Sequence, residues 1–124
     1  MAKRNGYVKV KNRNTGETLI DSAKWCNSWF CKFIGFQFRS KLHPGEAIIL
    51  VHEKESIRET SIHMLFVFTD LAVVWLNECG EITHCELATP WRLYYASPKP
   101  ARYVLETNPH FLDGISIGDE LDFL

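Results

Sequence analysis

The sequence predicts a mainly β protein, either a single-domain antiparallel β-sandwich or a partly open barrel with one or two short helices. About seven short segments rich in branched and aromatic residues are separated by turn residues along the 124 residues. Very little of the chain has the periodicity of a helix. The most apolar segment, residues 61–86, contains two apolar runs followed by a turn and a more polar run. These observations favour a sheet built around that segment.

The first apolar run of this segment alternates in a way that is typical of a strand. Its even-numbered residues would point to one side of the strand and its odd-numbered residues to the other. Because both sets are largely apolar, we predict a strand over residues 62–68 and another over 72–76, both buried in the core. Asn77 and Gly80 occupy the first and last positions of a predicted type I turn. The hairpin then closes with a half-exposed return strand over residues 81–86.

The amino-terminal half contributes shorter elements. Residues 7–10 and 17–20 predict a hairpin around a turn at 12–16. Asn27 or Ser28 could cap a short helix that runs to about residue 33. We expect this helix to turn the following apolar side chains toward the core: Trp29, Phe33 and Phe36.

A short unbroken apolar run over residues 47–51 predicts a strand that is buried on both faces, and the charged residues 53–59 predict a loop. Prolines mark an irregular crossing over residues 90–100. Residues 101–106 then alternate as a strand. The chain is predicted to end with a helical turn at 109–112, stopped by Gly114, and a final strand after a turn at 118–119.

The charge is nearly balanced, with 14 basic and 15 acidic residues, which argues against binding of a polyanion through bulk charge. No nucleic-acid partner is therefore expected. The charged residues among the first 13 are all basic, and those among the last 12 are all acidic. Two terminal strands lying side by side would neutralise each other, and we favour this interpretation over a nucleic-acid-binding arm.

The first residues lack the apolar core of a signal peptide. The most apolar window, residues 62–76, contains His63 and Asp70 and is shorter than the roughly 20 residues of a spanning helix. We therefore expect a soluble cytoplasmic protein without a membrane partner.

Four cysteines raise the question of a disulfide or a metal site. If Cys26 and Cys31 lay on one helix, they would not share a face, since each residue turns it by about 100°. Cys79 and Cys85 would lie too far apart along an extended segment. Pairings between the two groups of cysteines remain open, but free thiols are the prediction for a cytosolic chain, with a zinc site using Cys85 or His84 as an alternative. No cofactor is expected.

Several short motifs occur in an order that resembles one family, the domain of unknown function 192 (DUF192) of small bacterial and archaeal proteins. The stretches that carry the resemblance are residues 35–39, 63–64, 71–76 with Gly80, 103–106 and 117–119. The resemblance covers about residues 25–123, preceded by the hairpin at 7–22, within one domain over residues 1–124. It implies a β-rich, jelly-roll-like domain of unassigned activity, without agreed catalytic residues. Polar residues that are common in the family at 63–67 and 70–72 are largely replaced here, so the resemblance supports no shared chemistry.

Six residues are candidates for ligand binding: Arg39, His63, Trp91, Arg92, Tyr95 and Glu106. Arg39 could clamp a carboxylate or phosphate through its guanidinium group, or form a structural ion pair with Glu106 or Glu46. His63 interrupts an apolar strand. It is therefore expected to be a hydrogen-bonded core histidine or, if it faces an open cleft, a base.

The loop at residues 90–100 carries an aromatic group next to an arginine. Trp91, Arg92 and Tyr95, with Tyr94, could line a stacking groove for a sugar or a base. The equal alternative is that these rings cap one end of the fold. The loop alone does not decide between the two.

The sequence contains no Ser-His-Asp order, metalloprotease motif or phosphate-binding loop. The leading hypothesis is a non-enzymatic module, monomeric or a weak homodimer, that binds an unknown small ligand or protein near Arg39, His63 and residues 91–95. The alternative is a small hydrolase or lyase with His63 as base and Arg39 as anion holder. A third option is an interaction subunit that pairs through an exposed edge strand.

Overall fold

A computed structural model describes residues 6–36, 41–64, 67–92 and 94–124 of the chain. The described residues form seven strands, one α-helix and a 3-10 helix, so the mainly β class is confirmed. The strands are β1 (Tyr7–Asn12), β2 (Thr18–Cys26), β3 (Ala47–Ser56), β4 (Leu71–Leu76), β5 (Ile82–Ala88), β6 (Ala101–Thr107) and β7 (Leu121–Phe123). The α-helix α1 spans Trp29–Ile34, and the 3-10 helix spans Pro109–Gly114. No helix in these ranges is both long and apolar enough to cross a membrane.

The strands form one mixed sheet in the order β5-β4-β6-β3-β2-β1-β7. Strands β2 and β3 are parallel, whereas the other neighbours are antiparallel. The sheet curves so that its two edges approach: Glu81 forms an isolated bridge with Glu120, and the Ile82 amide donates to the Asp119 carbonyl. The result is a half-barrel. Of the two predicted architectures, the partly open barrel is therefore confirmed.

The core lies on both faces of the central strands. All six residues of β4 are fully buried, which confirms the prediction from its apolar run. One cluster packs on the side of Val74, Leu76 and Leu105, and a second packs on the side of Val73 and Trp75. Because neighbouring residues of a strand point to opposite faces, a strand that is apolar on both faces needs both clusters.

The predicted strand over residues 62–68 is wrong for the described residues of that run. Ile62 alone makes a bridge, to Tyr95, and Met64 exchanges backbone hydrogen bonds with residues 91–92. Met64 and Val67 are nevertheless buried in the second cluster. The described residues of the apolar run therefore pack against the sheet without joining it as a strand, since burial by itself does not distinguish the two arrangements. This packing leaves His63 at the surface.

The charge pattern of the termini is explained by the pairing of β1 with β7. Arg13 donates through Nε to the Asp122 carboxylate at 2.9 Å and through Nη1 to Glu120 at 3.3 Å. Its Nη2 donates to the Cys79 carbonyl at 2.8 Å. Opposite charges from the two ends of the chain thus meet, as predicted. Strand β3 extends to Ser56, so the charged residues 53–55 are exposed strand rather than loop.

The prediction that all four cysteines are free is wrong for one pair. Cys26 and Cys31 form a disulfide, with their Cα atoms 5.6 Å apart. The helical argument does not apply because Cys26 is the last residue of β2 and only Cys31 lies on α1. Cys79 and Cys85 are free thiols. The disulfide ties the short helix to the sheet.

Replacing both members of this disulfide by alanine should lower the free energy of unfolding by about 2 kcal/mol, the loop-closure value for a ring this short. Guanidinium denaturation measures the loss. Wild-type protein in a dithiol reductant should show a similar loss, whereas Cys79→Ala, at an exposed free thiol, should change the midpoint little. Equal midpoints for the double variant and the wild type would show that the bond is not formed.

Candidate functional site

A cleft with a volume of about 390 Å³ opens between α1, β3, β6 and the loop at residues 59–63. We call it the Glu106 cleft after the carboxyl group in its floor. Strand β6 places Glu106 between Ile48 of β3 and Val73 of β4, in the middle of the sheet. The floor of the cleft is therefore formed by the central strands of the sheet.

Glu106 is only 5 % exposed. No hydrogen bond or ion pair reaches its carboxyl group from the part of the chain that the structure describes. Among the described residues, every side-chain oxygen or nitrogen that is fully shielded from solvent has a hydrogen-bond partner. The carboxyl group of Glu106 has none and is therefore not fully shielded: it opens into the cleft. Burial raises the pKa of Glu106 to about 7 because the charged form loses its hydration. Near neutral pH the group can thus both donate and accept a hydrogen bond.

Helix α1 forms one wall of the cleft. Ser28 caps it, accepting a hydrogen bond from the Cys31 amide at 3.1 Å. The positions 29, 32 and 35 line the cleft together, as expected for a spacing of three residues. Trp29 is 74 % exposed there, so the prediction that it packs into the core is wrong. Gly35 has a φ of 49°, and a Cβ at this position would lie 3.6 Å from Oε1 of Glu106.

Lys32 and His52 form a polar part of the cleft. The Lys32 ammonium donates a hydrogen bond to the Val51 carbonyl at 2.9 Å. His52 follows Leu50 on the same face of β3 and is half-buried. Burial lowers the pKa of His52, and the charge of Lys32 lowers it further, whereas Glu59 opposes the shift. His52 is therefore neutral at physiological pH.

The loop at residues 59–63 forms the opposite wall and is fixed by hydrogen bonds. The indole Nε1 of Trp75, from the core strand β4, donates to the Thr60 carbonyl at 2.8 Å. The Ser61 hydroxyl donates to the Arg58 carbonyl at 2.6 Å. His63 is exposed and lines the cleft, so the expectation of a satisfied core histidine is wrong, and the alternative of a histidine facing an open cleft is observed.

Of the six predicted site residues, His63 and Glu106 share the Glu106 cleft. Trp91, Arg92 and Tyr95 lie on the neighbouring segment and do not line it. Tyr95 is buried, and its hydroxyl accepts a hydrogen bond from the Thr89 amide at 2.8 Å. Arg39 falls outside the described residues.

The rings of this neighbouring segment make contacts with other side chains of the protein. The Arg92 guanidinium lies 4.5 Å from the centre of the Tyr95 ring, and the Trp91 ring lies 5.7 Å from that of Phe68. Trp91 is still 49 % exposed. These contacts favour the interpretation in which the aromatic group caps one end of the fold.

Among the lining residues that were not predicted as site residues are Trp29, Lys32 and His52. A signal was present for two of them. Lys32 interrupts an otherwise apolar helix three residues after Trp29, and His52 ends the apolar run of β3. A polar residue that follows an apolar run on the same face marks where a core ends and an opening begins.

No group of three His, Cys, Asp or Glu side chains in the described ranges is placed to hold a metal ion. His84, one of the residues considered for zinc, instead contacts the Glu86 carboxylate, with Nε2 and Oε1 3.1 Å apart. The described side chains that line the cleft include hydrogen-bonding, charged and aromatic groups.

Comparison with known proteins identifies relatives along nearly the whole chain. The family model of DUF192, described as Uncharacterized ACR, matches residues 9–123, a longer stretch than the sequence motifs cover. A UPF0127 protein of Thermococcus sibiricus is 27% identical over 114 residues, which are 90% of this chain and 72% of that protein.

Two solved structures share the fold. One, from Sinorhizobium meliloti 1021 and provisionally described as a transcription regulator, has a TM-score of 0.80 at 21% identity, over 94% of this chain and 92% of the other. The second, a protein of unknown function from Novosphingobium aromaticivorans, has a TM-score of 0.77 at 18% identity, over 94% and 83%. At these identities the likeness concerns the fold alone.

Proposed function

Because this chain belongs to the DUF192 family of uncharacterised proteins, we propose its function from its own geometry: it is a module that binds a small organic molecule in the Glu106 cleft. The observation that carries the proposal is the carboxyl group of Glu106, which is buried and open to a cleft without a described partner. A buried polar group without a hydrogen bond destabilises the folded state. A ligand that hydrogen-bonds to it would remove that penalty.

The form of the cleft supports this proposal. Its volume of about 390 Å³ lies within the range of roughly 300 to 1,000 Å³ that is typical of small-molecule sites. Leu50 and Ile62 supply apolar lining, while Lys32, His52 and His63 add polar groups. Such a mixture of apolar surface and a few converging polar groups is characteristic of ligand sites.

The proposal is tested by a thermal-shift screen of sugars, nucleotides and organic acids, followed by calorimetric titration of each hit. We expect Glu106→Leu to weaken binding at least tenfold, since it removes a hydrogen-bonding group worth about 1.5 kcal/mol. Glu86→Leu is the matched control. Glu86 lies beside Val73 on the same face of the sheet, outside the cleft, and is paired with His84.

Two results would contradict the proposal. One is a folded wild-type protein with no hit in the screen. The other is a hit whose affinity is reduced equally by Glu106→Leu and Glu86→Leu, because binding would then not depend on the cleft.

A second candidate function is a small hydrolase or lyase with His63 as the base. The observation that favours it is that His63 and Glu106 line one cleft, and that the pKa of Glu106, about 7, is suited to general acid–base work. The predicted anion holder, Arg39, lies outside the described residues, and Lys32 is the described cation of the cleft. Turnover of a bound compound, lost in His63→Ala while binding persists, would favour this candidate over a binding module.

A further inference from the structure

We propose that the Glu106 cleft takes a neutral polyhydroxylated molecule of one or two sugar rings, in preference to an organic cation or anion. The inference rests on the proposed function of the cleft as a ligand site. It specifies the chemistry of the ligand from the charges, hydrogen-bonding groups and ring surface that line the cleft.

The charges that line the cleft have both signs. Lys32 carries a positive charge and Glu59 a negative one, and His52 is neutral. Glu106 holds a proton for part of the time at neutral pH. Lys32 attracts an anion that Glu59 and ionised Glu106 repel, and a cation meets the opposite forces, so a charged ligand of either sign faces a like charge in the cleft. A neutral ligand meets neither repulsion.

The hydrogen-bonding groups of the cleft include both donors and acceptors. The Lys32 ammonium has three donors, of which the Val51 carbonyl takes one. The Ser61 hydroxyl donates to the Arg58 carbonyl, which leaves its oxygen to accept. A sugar hydroxyl both donates and accepts, so it can pair with Glu106 in either protonation state.

A ring surface stands beside these polar groups. Trp29 lines the cleft and is 74 % exposed, so its indole contributes apolar area to the same cleft as Glu106. The faces of a pyranose ring are apolar, whereas its edge carries the hydroxyl groups. A ring that packs against Trp29 can therefore turn its hydroxyl groups to Glu106. The volume, at the low end of the range for ligand sites, fits one or two such rings.

The test uses three probes that share a ring and differ in charge, namely D-glucose, D-glucosamine and D-glucuronate, together with a panel of neutral hexoses, pentoses and disaccharides. Titrations on the full chain at pH 7, followed by NMR, measure the affinities. We expect the best neutral sugar to bind at least threefold more tightly than either charged probe. Glu106→Leu and Trp29→Ala should each weaken it about tenfold, and Glu86→Leu should not.

The pH dependence gives a second readout. Affinity for a neutral sugar should change less than threefold between pH 6 and pH 8. The affinity for a cation would rise with pH, because Glu106 ionises, whereas the affinity for an anion would fall. Glu106→Gln would remove the part of such a trend that comes from Glu106. His52, His63, Lys32 and Glu59 face the same cleft and remain unchanged in this variant, so the difference isolates Glu106.

The possible failures are distinguishable. If glucosamine or glucuronate bound more tightly than the best neutral sugar, and this binding depended on Glu106, the proposal of a neutral ligand would be wrong. The cleft would still be a ligand site. The same conclusion would follow if every sugar failed while another compound from the screen bound in the cleft. If no compound of any class bound the folded protein, both the class and the proposed function would fall.

Discussion

Glu106→Gln is expected to raise the free energy of unfolding at pH 8 by about 3 kcal/mol relative to the wild type, and to leave it nearly unchanged at pH 4. Burial raises the pKa of Glu106 from 4.5 to about 7, and each unit of such a rise corresponds to about 1.4 kcal/mol. Glutamine has the shape of the protonated acid but cannot ionise. It therefore avoids the cost of a buried charge.

The direction of this effect follows from proton binding in the two states. Below about pH 4.5 the carboxyl group is protonated in both the folded and the unfolded chain, so it contributes no penalty. As pH rises toward 7, the unfolded chain releases the proton while the folded chain keeps it. The wild type therefore loses stability over this window, and the loss is complete above about pH 7.

Denaturant unfolding of both proteins at several pH values measures this difference. Glu86→Gln provides the control, since Glu86 is on the same face of the sheet but is paired with His84 and less buried. A constant difference between Glu106→Gln and the wild type from pH 4 to pH 8 would contradict the assignment. So would a variant that is less stable at pH 8, because the ionised carboxylate would then have a stabilising partner.

The same carboxyl group links stability to ligand binding. An unpaired acid in the middle of a sheet is unfavourable for folding, and natural proteins usually depart from good packing where function requires it. Glu106→Gln should therefore separate the two properties. It should fold more stably at neutral pH, and any pH dependence of ligand affinity that comes from Glu106 should disappear.

Much of the fold could be predicted from the sequence because local signals and burial agree there. The run of β4, the turn ended by Gly80 and the alternation of β6 all have one interpretation. The parallel pairing of β2 with β3 could not be predicted, since no local signal specifies which distant strands become neighbours. The run beginning at Ile62 was misassigned because an apolar loop over a sheet and a buried strand have the same composition.

The candidate site was predicted only in part for a related reason. Glu106 was named as a candidate residue and as a partner for Arg39, and His63 was selected because it interrupts an apolar run. Trp29 was assigned to the core because hydrophobicity is the only local property that the sequence supplies for it. Its exposure depends on where α1 lies relative to β3, and α1 is joined to the end of β2 by the Cys26–Cys31 disulfide. A disulfide between a strand and a helix cannot be recognised until the strand's end is known.

Trp75→Ala is expected to lower the free energy of unfolding by about 3 to 5 kcal/mol, the range for removing a large buried aromatic side chain. Trp75 is fully buried in β4 within the second cluster. Trp75→Phe keeps most of the apolar contact but removes the indole donor to the Thr60 carbonyl. We expect it to cost about 1 to 3 kcal/mol, as for a lost buried hydrogen bond.

The phenylalanine variant tests the link between the core and the cleft. Since the Trp75 indole fixes the loop at residues 59–63, Trp75→Phe should weaken ligand affinity under conditions where the protein remains fully folded. Guanidinium denaturation gives the stability, and calorimetric titration gives the affinity. Trp91→Phe, at a half-exposed ring outside the cleft, should change neither by much. If the folded Trp75→Phe variant bound the ligand with unchanged affinity, the prediction would be wrong. The loop at residues 59–63 would then keep its position without the hydrogen bond from the Trp75 indole.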